Sequence, residues 1–513
     1  MLTSADRVGG RRTVAAADQP LSSWLLAVSV VPVASVLLAT VEPQLRHWFL
    51  IPVTVSGVLI GVDAFEWLSR RRDVFDPRAV LGLFGLHFYY LAPILHVLLD
   101  YWPRMLFPIA ADWRTALGAM ALLNMVGLAI YRVIVSLPGR AAQPAGGGSR
   151  PAGRLRLDEV RFRRIATLAV AAGVLAFLGE VLILGGPAGF LQAMTQDRDA
   201  LTGLGWLLLL SESFPLMLFS LVVVGWRAAL RDRVGVVVLL LIGLVLLQFV
   251  VGGLRGSRSA ALWPLVIGLL LVHYLVRSIS RKVFFATAAV VVVFVYGYGL
   301  YKGAGVEVVD IAKGDRTVEE VSATTGRDLP TVLLGDLARA DMQALLLDRD
   351  RAGQSRWSVG STYLAAPLSL VPGRLVVDGP RDKSEVGTNV LYGPGVYEAG
   401  VHSQRVFGLA GEAILNFGPV GGLLSFVVLG LFLRFAGRYC TQARPGDELA
   451  PKLLCLPLCV LTVILLTADL DNILAFFVGE ALPLTLVVLC AMARVPAISP
   501  VNLDADKSSA SEC

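Results

Sequence analysis

Residues 234–253 read VGVVVLLLIGLVLLQFVVGG, a run of 20 residues without a charged side chain. About 20 consecutive apolar residues are enough for an α-helix to cross the hydrocarbon core of a bilayer. Arg231 and Arg233 precede this run, and Arg255 follows it after one leucine. The stretch therefore predicts a membrane-spanning helix with basic residues at both ends.

The composition of the whole chain agrees with that local pattern. Of the 513 residues, 56% are hydrophobic and only 16% are charged, whereas a soluble domain has about 25% charged residues. The formal net charge is +6, but the arginines cluster at the ends of apolar segments. That placement indicates membrane topology and argues against nucleic acid as a partner.

The same kind of apolar segment recurs twelve times, which predicts an all-α, polytopic transmembrane helical bundle of about twelve spans. The segment 260–276 is the weakest because it is short, and the tenth is long and rich in glycine. The segments are 21–41, 48–68, 79–99, 113–137, 165–185, 206–226, 234–253, 260–276, 283–301, 410–436, 453–468 and 473–493.

The distribution of basic residues predicts the orientation of the chain in the membrane. Cytoplasmic loops carry the excess of Lys and Arg, and Arg7, Arg11 and Arg12 place the N-terminus inside. With twelve spans, every loop assigned to the cytoplasm is then basic, including 138–164, and the C-terminus returns inside. We therefore expect a multi-pass protein of the inner or plasma membrane whose long loop 302–405 is extracytoplasmic.

This topology divides the chain into four parts. Residues 1–301 hold spans one to nine with a cytoplasmic linker at 138–164, and the long loop occupies 302–405. Spans ten to twelve follow in 406–494, and 495–513 form a cytoplasmic tail. Within the loop, 331–350 has helical spacing of apolar residues and is predicted to lie on the membrane surface, as one of several short helices.

The five cysteines lie outside the long loop, so we expect neither a disulfide framework nor a metal cluster. Cys455 and Cys459, spaced i and i+4 in an apolar helix, are expected only to pack there. The chain also lacks a Walker A motif, and the first outer loop lacks a pair of acids. No cofactor is predicted. The cysteines are Cys440, Cys455, Cys459, Cys490 and Cys513.

The segment 252–259, GGLRGSRS, interrupts two apolar helices on the predicted outer side. Arg255 and Arg258 lie on the outer side of the membrane, where arginine is disfavoured, so their presence requires an explanation. Their guanidinium groups, the hydroxyl of Ser257 and the adjacent glycines suit the binding of phosphate or diphosphate. The alternative is a plain hairpin turn whose arginines reach the lipid headgroups.

A second candidate region lies at the end of the long loop. His402 is the loop's only histidine, and a near-neutral imidazole can act as a general base toward a sugar hydroxyl. Arg405 follows it, and Glu412 lies inside the next apolar helix, where it should face a cavity or pair with a cation such as Arg405. The alternative for His402 is a solvated loop residue.

Other polar residues fall into two groups. Glu180, Glu212 and Glu480 are further acids within predicted spans and are expected to be hydrogen-bonded inside the bundle, whereas Asp469 and Asp471 are expected to be solvated. Several polar residues of the long loop are candidates for contact with a glycan, with a solvated surface as the alternative. These are Arg339, Arg374, Arg381, Asn389 and Tyr392.

These stretches resemble the O-antigen polymerases, a family of bacterial membrane proteins that polymerise oligosaccharide repeat units. The resemblance rests on GLRGSRS at 253–259, on VPGRLVVDGPRDKSEVGTNVLYGPG in 371–395 and on GEAILNFGPVGG at 411–422. The order also agrees: many spans, a basic turn, a long late loop and then the glycine-rich helix. The O-antigen ligases are related, but here His402 lies farther from Gly418 and Gly421 than the ligase pattern leads us to expect.

The resemblance implies a cell-envelope glycosyltransferase of polysaccharide biosynthesis that needs no metal. It would join oligosaccharide repeat units carried on polyprenyl diphosphate. Arg255 and Arg258, with Ser257 and Arg405, would hold the diphosphate, and His402 or Glu412 would take the acceptor proton. Partners would include a chain-length regulator and a flippase besides the lipid-linked oligosaccharide. The competing hypotheses are a transporter or flippase of lipid-linked sugars and ligase-type transfer of a glycan.

Overall fold

The computed structural model shows a bundle of long helices. The residues it describes are 19–102, 112–138, 155–196, 198–201, 203–255, 258–304, 311, 313–325, 328–371, 379–443 and 448–494. The N-terminal arginines, most of the 138–164 linker and the tail after 494 lie outside the described residues.

Seventeen helices account for most of the described chain. In chain order they are α1 (Gln19–Val41), α2 (Leu50–Leu68), α3 (Pro77–Leu98), α4 (Trp113–Ser136), α5 (Glu159–Ile183), α6 (Gly186–Thr195), α7 (Gly205–Leu230), α8 (Val234–Gly253), α9 (Arg258–Leu271), α10 (Arg281–Ala304), α11 (Val318–Thr325), α12 (Ala340–Arg351), α13 (Ser361–Leu368), α14 (Lys383–Tyr392), α15 (Gly408–Ala443), α16 (Leu449–Thr467) and α17 (Leu470–Cys490).

Eleven of these helices are long and apolar enough to cross a membrane. A twelfth apolar helix, Leu262–Val276, is shorter, and it coincides with the segment that the sequence marks as weakest. Sheet structure among the described residues is limited to one antiparallel pair, β1 (Leu155–Leu157) with β2 (Met492–Arg494). The prediction of an all-α, polytopic membrane protein is confirmed.

Two buried cores hold the bundle together. The first joins α2, α3, α4 and α15 with the loop helix α12, and Tyr131 and Phe426 lie at its centre. The second joins α5, α7, α8, α9, α16 and α17 around residues such as Phe162. Leu168, Leu182 and other large apolar side chains of the outer helices are exposed, as expected for surfaces that face lipid.

The described parts of the long loop pack over one end of the bundle, and we call that end the loop face. The predicted surface helix 331–350 is wrong in two respects. It consists of a π-helical segment, Thr331–Asp336, and of α12, separated where Arg339 adopts a φ of 95°. Moreover, α12 is buried between α4 and α15, and its Gln343 accepts a hydrogen bond from Asn124 Nδ2 at 3.2 Å.

Helix α15 is broken near its loop-face end. Gly418 has φ 66° and ψ −161°, a conformation that suits glycine, and Pro419 follows it. The break frees the carbonyl groups of Leu415 and Asn416, which accept hydrogen bonds from the backbone N–H groups of Ser358 and Val359 at 3.2 and 3.0 Å. The loop therefore replaces the hydrogen bonds that the helix loses.

Three cysteines meet between α15 and α16. Cys440 and Cys455 are disulfide-bonded, and the sulfur of Cys459 lies 3.8 and 3.6 Å from theirs. The expectation of no disulfide was wrong because antiparallel packing of the two helices brings together positions that are 15 residues apart. The three sulfurs lie within 4.8 Å of one another, but they could bind a metal together only with the disulfide reduced, because the ligand is the thiolate.

Candidate functional site

Arg255 lies in the turn after α8 and reaches into the bundle. Its Nη2 atom is 2.6 Å from Oε1 of Glu212 on α7, and the side chains of the two residues are 27% and 6% exposed. A Cβ atom at Gly252 would lie 3.1 Å from the carboxyl group of Glu212, so the glycine leaves room for the acid beside the turn. The buried carboxylate thus has a cation as its partner.

Two further acids and an amide surround this ion pair. Gln248 Nε2 donates to the Glu212 carbonyl at 3.1 Å and to Glu480 Oε1 at 3.3 Å. Glu180 is fully buried and, like Glu480, lies close enough to interact electrostatically with Arg255. We call Glu180, Glu212, Gln248, Arg255 and Glu480 the Arg255 cluster.

The Arg255 cluster is built on irregular helix geometry. The end of α8, Phe249–Gly253, and the middle of α17, Phe477–Ala481, are π-helical, and π-helical turns occur frequently at functional sites. The turn after α8 is held by α10, because Tyr298 donates to the Gly253 carbonyl and Tyr301 donates to the Leu254 carbonyl at 3.0 Å.

The other members of the predicted diphosphate site are only partly described. Ser257 lies outside the described residues, and of Arg258 only the backbone, which begins α9, is described. Arg405 lies on the loop face near Asp341 and Tyr101. Burial raises the pKa of Asp341, and the charges of His96 and Arg405 oppose that rise. No described contact joins Arg405 to Arg255.

The two predicted catalytic residues are not brought together by any described contact. His402 is exposed, and its ring lies against that of Tyr397, tilted by 41° with centroids 4.4 Å apart. It forms no hydrogen bond with a described residue. Its imidazole is therefore accessible from outside the protein.

Glu412, by contrast, is buried and fully engaged. Its Oε1 accepts from Thr362 Oγ1 at 3.0 Å, and its Oε2 accepts from the Leu470 N–H at 2.7 Å. The expected pairing of Glu412 with Arg405 is therefore wrong. The loop folds back so that α13 and the start of α17 supply the donors. Asn416 completes the network by donating to Thr362 Oγ1 at 2.7 Å.

Asp469 is also buried, so the expectation that it is solvated is wrong. Its Oδ1 accepts from the N–H groups of Phe407 and Gly408 at 2.9 and 2.7 Å, and its Oδ2 lies 3.0 Å from Lys383 Nζ. Lys383 also pairs with the partly exposed Asp471 at 2.8 Å. Burial raises the pKa of Asp469, and the charge of Lys383 opposes that rise.

The candidate glycan-binding residues do not form one surface. Arg339 donates to the carbonyl groups of Thr467 and Gly335, and Asn389 bonds to Glu398 and to the backbone of Tyr397. Tyr392 packs against the first core. Arg381 is mostly exposed, 4.0 Å from Glu385, and Arg374 lies outside the described residues.

An apolar groove between α4 and α15 is a feature that the sequence analysis missed. It has a volume of about 230 Å³ and lies beside the break in α15. Arg351 at the end of α12 is one of its lining residues, is exposed and forms no ion pair with a described residue. The lining residues are Ala119, Leu122, Leu123, Val126, Leu347, Asp350, Arg351, Pro419 and Leu423.

The groove could not be found by reading segments one at a time, because its lining comes from three distant parts of the chain. Each part alone has the apolar residues of an ordinary packed helix. The only local signal is the Gly418-Pro419 pair, which predicts a break in a helix.

The architecture and these polar clusters define the class: a multi-pass, all-α membrane protein with a folded loop over one end of its helices. Comparisons with models of protein families, with curated proteins and with solved structures give no match. Any more specific function has to be argued from the residues themselves.

Proposed function

We propose that the protein is a membrane glycosyltransferase that polymerises polyprenyl-diphosphate-linked oligosaccharide repeat units into a cell-surface polysaccharide. The reaction takes place on the outer face of the cell membrane, beneath the long loop. The observation that carries this proposal is the apolar groove beside the break in α15, with the exposed Arg351 in its lining.

The groove suits a lipid substrate with a charged head. Its apolar wall on α4 runs from Ala119 to Val126, and α4 begins at Trp113, so Val126 lies about 20 Å along the helix from its loop-face end at 1.5 Å per residue. An isoprenoid chain can occupy this wall while its diphosphate stays at the loop face. There the guanidinium of Arg351 can form two hydrogen bonds with the diphosphate at once.

Polymerisation joins two lipid-linked molecules, so it requires two places for a diphosphate. The turn at Arg255 supplies the second, since it lies on the same loop face. The two places are connected through the loop: α10 holds the turn, and Val332 of the π-helical segment packs against Gly299 of α10. The membrane keeps both substrates in one plane, which favours their encounter.

The reaction is a displacement at the anomeric carbon of the donor glycan. The acceptor hydroxyl oxygen bonds to that carbon, the bond between the carbon and the diphosphate oxygen breaks, and the diphosphate leaves with the electron pair. The proton of the hydroxyl passes to His402, because both oxygens of Glu412 already accept hydrogen bonds. Direct displacement inverts the anomeric configuration, so a product linkage that matches the donor would refute this mechanism.

The second candidate function is a flippase or transporter of lipid-linked sugars. Transporters use discontinuous helices and charged residues inside the membrane, and the break at Gly418 and the acids of the Arg255 cluster are features of that kind. A ligase is the third possibility, and it would transfer the glycan once to a different acceptor.

One experiment separates these functions. Purified protein is reconstituted with lipid-linked repeat units, and the products are resolved by gel electrophoresis. A ladder of longer glycans supports a polymerase, one transfer to another acceptor supports a ligase, and movement across the vesicle membrane without elongation supports a flippase. Either of the last two results overturns the proposal.

A variant tests the groove directly. Arg351→Ala is expected to lower the rate of ladder formation by about tenfold or more, because one bidentate contact to the diphosphate is lost. The matched control is Arg114→Ala, which removes another exposed arginine near the loop-face end of α4. Equal rates in the two variants would exclude Arg351 from the site.

A further inference from the structure

The Arg255 cluster contains buried oxygen atoms that accept no hydrogen bond from the described part of the chain. Both carboxyl oxygens of Glu180, Oε1 of Gln248 and Oε2 of Glu480 accept no hydrogen bond from any described residue. Glu180 and Gln248 are fully buried, and Glu480 is 6% exposed. The hydroxyl of Ser211 neighbours Glu180 but donates to the carbonyl of Leu208 at 2.9 Å. Nearly all buried acceptors in folded proteins have a partner, so this concentration needs an explanation.

The charges of the Arg255 cluster do not balance either. Among the described residues, three carboxyl groups come from α5, α7 and α17, and α8 contributes only the neutral Gln248. The turn after α8 contributes the guanidinium of Arg255, which is 2.6 Å from Glu212. One cation cannot neutralise three carboxylates. An unpaired carboxylate inside a helical bundle is costly, so added positive charge would stabilise these acids.

We propose that the Arg255 cluster binds a small monovalent cation, a proton or Na⁺, between Glu480, Gln248 and Glu212, and that Glu180 adds negative charge nearby without being a ligand. Carboxylate and amide oxygens are the ligands that hard cations prefer. Gln248 is placed to join the two acids, because its Nε2 contacts both the Glu212 backbone and Glu480. Its Oε1 remains as a ligand.

Arg255 and the added cation compete for Glu212. When the cation is bound, it offsets the charge of Glu212 and weakens the ion pair with Arg255. The guanidinium of Arg255 can then turn toward an anion at the loop face. When the cation is absent, the ion pair holds Arg255 inside the bundle. This coupling to the diphosphate rests on the proposed function, whereas cation binding itself does not.

The test measures cation binding by the purified, full-length protein in detergent, without any glycan. Binding of ²²Na⁺ is followed at alkaline pH, and proton uptake is followed by titration in the absence of Na⁺. Saturable ²²Na⁺ binding identifies Na⁺ as the ligand. Proton uptake near neutral pH without ²²Na⁺ binding identifies the proton. If neither is found, the proposal is overturned.

Variants locate the binding to this cluster. Glu480→Gln is expected to abolish it, and Gln248→Leu gives an independent loss should the first variant fold poorly. Arg255→Ala is expected to tighten binding by about tenfold, because an opposing charge leaves Glu212. The matched control is Glu319→Gln, an exposed acid of α11, which should bind like the unaltered protein.

The variants also have outcomes that contradict the site. Binding that survives in both Glu480→Gln and Gln248→Leu would place the cation elsewhere and overturn the proposal. Weaker binding in Arg255→Ala would overturn the competition between Arg255 and the cation. All of these results are obtained without a glycan substrate. Failure of the protein to polymerise glycans therefore leaves the test of cation binding intact.

Discussion

The region around Glu412 and the Arg255 cluster both bury carboxyl groups, but they differ in how those groups are satisfied. Both oxygens of Glu412 accept hydrogen bonds from protein donors. In the Arg255 cluster, neither oxygen of Glu180 accepts a hydrogen bond from a described residue, and Glu480 accepts one at a single oxygen. Satisfied polar groups hold a structure together, whereas unsatisfied ones are available for a ligand.

This difference is the opposite of what the sequence predicts about which of the two regions is functional. Glu412 belongs to the motif that resembles the polymerase family and is therefore a candidate base, yet its contacts are those of a structural residue. Glu180, Glu212 and Glu480 are expected to be ordinary interior groups, yet they form the less satisfied cluster. Variants in the region around Glu412 should therefore affect stability, whereas variants in the Arg255 cluster should affect ligand binding.

The largest expected effect on stability is that of Glu412→Ala. This change leaves the Leu470 N–H and the Thr362 hydroxyl without an acceptor in a buried place. We expect the free energy of unfolding to fall by about 3 kcal/mol, since each unsatisfied buried group costs roughly 1–3 kcal/mol. The measurement is unfolding of the purified protein in mixed detergent micelles.

The matched comparison is Glu480→Gln, which changes a buried acid of the other region without changing its size. Here we expect no loss of stability, because removing a poorly satisfied charge relieves a cost. If Glu480→Gln destabilised the protein as much as Glu412→Ala, the contrast between the two regions would fail.

A somewhat smaller loss is expected from Gly418→Ala. Gly418 has a φ of 66°, and a Cβ there would overlap the indole ring of Trp357. We predict a loss of about 2 kcal/mol in the free energy of unfolding, because strain and overlap add. In Gly179→Ala, the control, the added Cβ meets no atom within 4 Å, so stability should stay the same or rise. Equal losses would contradict this account of the break in α15.

Lys383→Met tests the electrostatics that hold the loop on the bundle, and its effect depends on pH. Without Lys383, the pKa of Asp469, already raised by burial, should rise further. A protonated Asp469 carries no charge, so the variant should resemble the unaltered protein in acid. As the pH rises through that raised pKa, Asp469 of the variant becomes a buried carboxylate without a cationic partner. We therefore expect the free energy of unfolding of the variant to be lower than that of the unaltered protein by about 2 kcal/mol at neutral pH.

The measurement for Lys383→Met is the midpoint of thermal unfolding in detergent across a range of acidic to neutral pH. Asp471→Asn is the control, because it removes only the partly exposed partner of Lys383 and should have a smaller effect. A deficit that stayed constant with pH would show that Lys383 acts through packing and not through the charge of Asp469.

The sequence predicts the helices well because the length and apolarity of each segment are enough to identify a span. Contacts between distant segments are harder to predict. Nothing local pairs Arg255 with Glu212, since that pairing depends on how α7 and α8 are rotated against each other. A positive φ at a non-glycine residue has no sequence signal, so the break at Arg339 is not visible in the spacing of 331–350.

The errors at Asp469 and at α12 have one cause. Both were expected to meet solvent or lipid headgroups because they lie beyond the ends of apolar segments. Neither does, because the long loop folds back: Lys383 reaches Asp469, and α12 enters the first core. From a single sequence, a loop of mixed polarity does not indicate which part of the bundle it packs against.

A small effect on stability, together with the sharpest test of function, is expected from His402→Ala. The side chain is exposed and its ring contacts that of Tyr397 at a tilt of 41°, without a hydrogen bond to a described residue. Its removal should change the free energy of unfolding by less than about 0.5 kcal/mol, as is usual for surface positions. If His402 accepts the acceptor proton, ladder formation should nevertheless slow by about 100-fold or more. Normal elongation by a stable His402→Ala protein would remove this residue from the mechanism, while Tyr397→Phe should leave both quantities unchanged.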